Sequence, residues 1–87
     1  MEKVRKNIDN FDFQILKILS RRRKEVLKVI KYKPKSKIVD QKRIKSRLIN
    51  IRKKSLKNKI DPRITNRIWK NMIWSYIDYE RRNFKKK

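Results

Sequence analysis

Glycine is absent from this chain, and its only two prolines stand at positions 34 and 62. These two residue types are the usual helix breakers, so the sequence offers few places to interrupt a helix. The prolines divide it into three stretches, and each reads as helical. The first runs from about Lys3 to Lys33, roughly 45 Å at 1.5 Å per residue. Val4, Ile8, Phe11, Ile15, Ile18, Val26, Val29 and Ile30 draw one apolar stripe along it. "PKSKIV" is a short connection, and Asp40 then supplies an N-cap. Ile44, Leu48, Ile51 and Ser55 mark the inner face of a second helix, which "KNKIDP" closes. Asp61 before Pro62 is an N-cap with proline at the first helical position. The third helix is expected to turn Ile68, Met72, Ile73, Tyr76 and Ile77 inward. No stretch sustains period-two alternation, so the expected fold class is all-α, three helices with a very long first one.

With 87 residues the chain suffices for one small domain, spanning 1–87. A first helix that long cannot bury its whole stripe against two shorter partners. The surplus apolar surface points to a symmetric homodimer with crossing long helices, a plain coiled coil being the simpler alternative.

Composition narrows the chemistry. The absence of Cys excludes disulfides and thiolate catalysis, and the absence of His removes imidazole acid–base work and the usual zinc sites. Without Gly there is no glycine-based phosphate loop, so neither a metal nor a cofactor is expected. No apolar run approaches the roughly 20 residues of a membrane span, and "MEKVRKNIDN" lacks a signal-peptide core. A soluble cytoplasmic protein without a membrane partner is the expectation. The formal charge of +22, from 30 Lys plus Arg against 8 Asp plus Glu, raises nucleic acid as a partner. The competing reading is compositional drift with solvated lysines. "KYKPKSK" and "RKKSLKNK" have little aromatic interleaving, and Trp69 and Trp74 lie on an inward-reading helix. Nucleic acid therefore has thin support, although the charge does not exclude it.

The sharper signal lies in "RRRKEVLKVIKYK", residues 21–33. Arg22 and Lys33 are eleven residues apart, so at about 100° per residue they point within about 20° of one another, both on the apolar stripe. Arg5 faces about 100° away from Arg22. Arg43 stands beside Ile44 where the second inner face begins, and Glu80 follows Met72 and Tyr76 along the third. Burying an unpaired cation is costly, so cations so placed must meet an anion. Glu80 and Asp40 are too few for four cations, which leaves a small anionic ligand to supply the rest. For Lys33 and Arg43 the plainer alternative is snorkelling at helix ends.

These residues resemble a known family. "VRKNIDNFDFQILKILSRRRKEVLKVIKYK" looks like the first helix of the all-helical, AroQ-type chorismate mutases, whose pattern runs Leu-Arg-x-x-Ile-Asp-x-x-Asp, Leu-Leu, Arg, then Lys eleven residues later. "IVDQKR" is similar to the family's Val-x-Asp-x-x-Arg, and "IDPRITNRIWKNMIWSYI" to its third helix. The resemblance covers nearly the whole chain in order. It implies an intertwined homodimer with two shared sites for a small dianion, and a place in aromatic amino-acid biosynthesis, on the shikimate pathway. Arg5 would reach the partner protomer's site, and Arg22 would bind a substrate carboxylate. Lys33 would bridge a carboxylate and the ether oxygen, and Arg43 would complete the cationic wall. Asp40 matches the aspartate that opens the second helix. Glu80 falls where most members have Gln and some have Glu, the group that hydrogen-bonds the ether oxygen. The implied catalytic residues are thus Lys33, Glu80 and Arg22. Rearrangement of chorismate to prephenate needs no nucleophile or metal, so a chain without His or Cys can catalyse it.

Two positions depart from the mutase pattern. Ile44 stands where mutases usually carry Glu, and Tyr76 where many have a small polar residue. Both are similar to the isochorismate pyruvate lyases, a branch of the same fold in which an aliphatic residue follows the Arg. The connection from Lys33 to Asp40 is also about two residues shorter than usual in the family, by the same resemblance. Three functions stay open on the sequence: mutase, lyase making salicylate and pyruvate, and a non-catalytic helical protein that binds nucleic acid.

Overall fold

The computed structural model describes residues 1–32 and 39–85, without the side chains of Ile30 and residues 83–85. They form three helices, α1 (Glu2–Tyr32), α2 (Gln41–Lys57) and α3 (Pro62–Lys85), so the fold is all-α. Lys33 and residues 34–38 of the connection lie outside the described residues. Among the described residues no helix is long and apolar enough to cross a membrane. The chain divides into two compact units, Met1–Tyr32 and Lys33–Lys87.

The first unit is α1 itself. Glu2 in its first turn and Lys31 in its last match the sign of the helix dipole. Val4, Ile8, Phe11, Ile15 and Ile18, the leading half of the stripe, are each between 53% and 61% exposed. Helices in water draw most of their stability from burying such a face, so this one calls for a partner.

The second unit is a helical hairpin. Asp40 caps α2 from an extended backbone (φ −115°, ψ 96°), its Oδ1 accepting from the Arg43 backbone N–H at 3.1 Å. Val39, Ile44 and Leu48 pack against Ile73 and Ile77, the buried apolar pair of α3. Ser55, near the other end of α2, meets Thr65 in the first turn of α3, and both are buried. The start of α2 thus lies beside the later part of α3, and its end beside the start of α3. The two helices are antiparallel.

The turn between them manages without glycine. After the C-cap Asn58, Lys59 takes a left-handed φ of 59°. Its N–H donates to the Leu56 carbonyl at 3.2 Å, and the Ile60 N–H donates to Ser55 O at 2.8 Å. This pair of bonds is the Schellman pattern, which usually places Gly at the left-handed position because a Cβ there is unfavourable by roughly 1 kcal/mol or more. Asp61 then opens α3, accepting from the Arg63 N–H at 2.9 Å while Arg63 Nη2 donates to its Oδ2 at 2.8 Å. The Arg63 side chain, and next its backbone N–H, hold the Asp61 carboxyl below the usual carboxylate range.

One inward assignment is corrected. Ile68 is 50% exposed. The buried side of α3 carries Thr65, Ile73, Ile77 and Glu80, with Trp69, Met72 and Tyr76 half-buried beside them. On a helix of about 100° per residue, Ile68 stands some 100° from Trp69 and about 180° from Ile77, beyond the edge of that face.

Candidate functional site

Each unit contributes part of the predicted constellation. On α1, Arg22 is half-buried while Arg21 and Arg23 on either side are exposed, so the middle arginine of the run is set apart from its neighbours. Arg5 is exposed in the first turns of the same helix. Lys33 lies outside the described residues.

The other residues gather at one end of the hairpin. Asp40 and Arg43 are exposed at the start of α2, joined by the capping bond. Ile44 is half-buried and packs against Ile73 and Ile77. Tyr76 stands one residue before Ile77 and Glu80 three after it, so they flank the patch that Ile44 covers. Glu80 is only 8% exposed and is the one buried acid among the described residues. The structure therefore brings the start of α2 beside the stretch of α3 that carries Tyr76 and Glu80.

Local features position these side chains. The Asp40 cap fixes the first turn of α2, so Arg43 and Ile44 leave the helix at set angles. Tyr76 stacks edge-to-face with Tyr79, ring centroids 6.4 Å apart and planes at 83°, which restrains the Tyr76 ring. Sequence reasoning did not single out Tyr79, although two tyrosines three apart on a helix are neighbours. The electrostatics are one-sided, because α2 has eight Lys and Arg and no acid in its 17 residues. Its N-terminal end adds the positive pole of the helix dipole near Arg43. Such a place attracts an anion. Among the described residues no three His, Cys, Asp or Glu side chains cluster to hold a metal ion.

A family model for chorismate mutase type II matches residues 4–81. The chain belongs to that family. The match takes in α1, α2 and α3 through Glu80, and with them every position that the sequence singled out. Chorismate mutase type II membership brings, in general terms, an isomerase acting on a chorismate-type substrate. No curated protein and no solved structure matches the chain.

Proposed function

We propose that this chain is a chorismate mutase that rearranges chorismate to prephenate in a cationic pocket shared across a homodimer. The reading is carried by the family match over residues 4–81, which contains the whole set from Arg5 to Glu80 in order.

The reaction is pericyclic: one carbon–oxygen ether bond breaks while a carbon–carbon bond forms within the same molecule. No group is transferred to the protein, and no proton or electron is gained or lost overall. The chain has two tasks. It folds a flexible dianion into a chair-like reactive conformer, and it stabilises negative charge growing on the ether oxygen. Arg22 and Arg43 grip the substrate carboxylates, for which the guanidinium fork is suited to two parallel hydrogen bonds. Arg5 does so from the partner protomer. Lys33 spans a carboxylate and the ether oxygen, and Asp40 and Tyr76 line the pocket. Glu80, when protonated, donates to the ether oxygen. The exposed stripe of α1 supports the dimer that such sharing requires.

Ile44 favours a second reading. Its side chain packs onto Ile73 and Ile77 and offers no acceptor where mutases place a carboxylate for the ring hydroxyl. Isochorismate carries that hydroxyl elsewhere, so a pyruvate lyase would not need the acceptor. Incubating the protein with chorismate and isochorismate separately distinguishes the two. Prephenate from chorismate is the expected outcome. Salicylate and pyruvate from isochorismate, with little prephenate from chorismate, would transfer the assignment to the lyase.

A further inference from the structure

A groove of about 210 Å³ runs between α2 and the start of α3, lined by Lys45, Leu48, Ile49, Arg52, Pro62 and Asn66. None of these is among the residues assigned to the isomerase pocket. On α2, Lys45 and Arg52 each lie about 100° of helix rotation from the preceding Ile44 and Ile51, which turns them from the α3-facing side toward solvent. Both are exposed.

Beyond the groove, two more residues of α3 follow at helical spacing from Asn66. Lys70 is one turn past Asn66 on the same face and is exposed. Trp74 lies one turn further and is 38% exposed. The Ser55–Thr65 contact sets the antiparallel register and brings Trp74 to about the level of Lys45. Two cations from α2 thus line a groove that also holds Leu48 and Ile49, and a third cation and an indole stand beyond it on α3.

The ion pairs Lys28–Glu25, Arg63–Asp61 and Arg81–Asp78 leave these three cations out. Because α2 contains no acid, its own residues do not neutralise Lys45 and Arg52. Point cations at intervals, an apolar floor and an aromatic face together match a chain of phosphates bearing planar bases. A membrane surface fits less well. Ile44 and Leu48 of α2 pack on α3, and Leu48 and Ile49 line a concavity rather than a crest.

We propose that this groove binds single-stranded nucleic acid, with Lys45, Arg52 and Lys70 on successive phosphates and Trp74 stacking on a base. This site is additional to the isomerase pocket and does not depend on it.

The test is fluorescence anisotropy with a labelled 20-nucleotide single strand, titrated from 50 to 300 mM NaCl. Lys45→Gln/Arg52→Gln is expected to weaken binding at least tenfold at the lowest salt. It should also flatten the log–log salt dependence by about 1.4, the value for two lost phosphate contacts on a single strand. Trp74→Ala should cost about fivefold or more, with little change in slope. The control, Lys3→Gln/Lys6→Gln, removes the same charge from exposed positions on α1 and should do much less. Equal losses in the control would mean that net charge alone binds the strand, and would overturn the proposal. So would equal affinity of the unaltered protein for polyglutamate or for vesicles of phosphatidylserine and phosphatidylcholine. Prephenate formation followed in the same variants keeps the two sites separable, because Lys45, Arg52 and Trp74 have no part in the isomerase pocket.

Discussion

The hydroxyls of Ser55 and Thr65 lie 2.6 Å apart, both buried, where the last full turn of α2 meets the first turn of α3. Ser55 Oγ also donates to the Ile51 carbonyl at 2.6 Å. Thr65 Oγ1 also lies 3.3 Å from the Pro62 carbonyl; each hydroxyl has one proton, and the much shorter Ser55–Ile51 bond makes Thr65 the donor between the two. The result is a short polar chain running Thr65 to Ser55 to the α2 backbone, and it pins the register of the hairpin.

Removing both members of this chain should cost less than the two single losses added together. Thr65→Val keeps the shape and leaves Ser55 short of a donor, and Ser55→Ala leaves the Thr65 hydroxyl with only the longer 3.3 Å contact to the Pro62 carbonyl. Each is expected to lower hairpin stability by about 1–3 kcal/mol in urea denaturation. The double variant should lose less than the sum, because no buried hydroxyl is left unsatisfied. Simple additivity would show that the two hydroxyls do not act as a unit.

A second polar device sits next to it, and it is sensitive to acid. Asp61 has its carboxyl held below the usual range, first by the Arg63 side chain and then by the Arg63 backbone N–H. A carboxyl with a depressed folded-state pKa contributes stability above its unfolded value, and the contribution fades as pH falls through the folded one. Asp61→Asn keeps a competent cap but loses the charge. Its melting temperature should fall below that of the unaltered protein at pH 7, and the gap should close in acid. A gap that persists at pH 2 would assign the effect to the cap alone.

The helix ends were legible in the sequence because they rest on local chemistry. Asp40 and the Asp61–Pro62 pair announce their helices within a few residues, and both capping bonds form. The inner face of α2 was legible for a similar reason: Ile44, Leu48, Ile51 and Ser55 keep helical spacing, and all are buried or half-buried. Ile68 was misread because its exclusion depends on which way α3 rolls against α2, a packing choice that local pattern does not encode. Lys59 in a left-handed turn was not foreseen either, since lysine is not a residue that advertises φ > 0. For the candidate site, sequence identified cations on apolar faces. It also placed Glu80 on the inward face of α3, where it is buried, and the packed hairpin adds that the Ile44 patch lies beside it.

Glu80 and Arg22 should separate by their pH behaviour. A carboxylic acid donates a hydrogen bond only when protonated, whereas an amide donates at any pH. With Glu80 opposite the ether oxygen, turnover should rise as pH falls below neutrality, and Glu80→Gln should gain activity at pH 7 with a flat profile. Arg22→Ala should cut turnover by about 10²-fold or more at every pH while the helical circular dichroism is retained. A flat profile in the unaltered protein, with no gain in Glu80→Gln, would remove Glu80 from the chemistry.

The dimer can be tested through the site itself. Arg5 is proposed to act on the partner's pocket and Arg22 on its own, so the two losses should complement each other. Arg5→Ala and Arg22→Ala homodimers each have two defective sites. A mixed dimer has one site lacking both arginines and one with both intact. Unfolding the two inactive variants together and refolding them at equal concentration should make half the dimers mixed, restoring about a quarter of normal activity. Ile8→Glu/Ile15→Glu, which places charges on the exposed stripe, should yield a species sedimenting at the 10.9 kDa of one chain and abolish turnover. Activity in that monomer, or no recovery on mixing, would show that each chain works alone and that the stripe of α1 is covered by something other than a second copy.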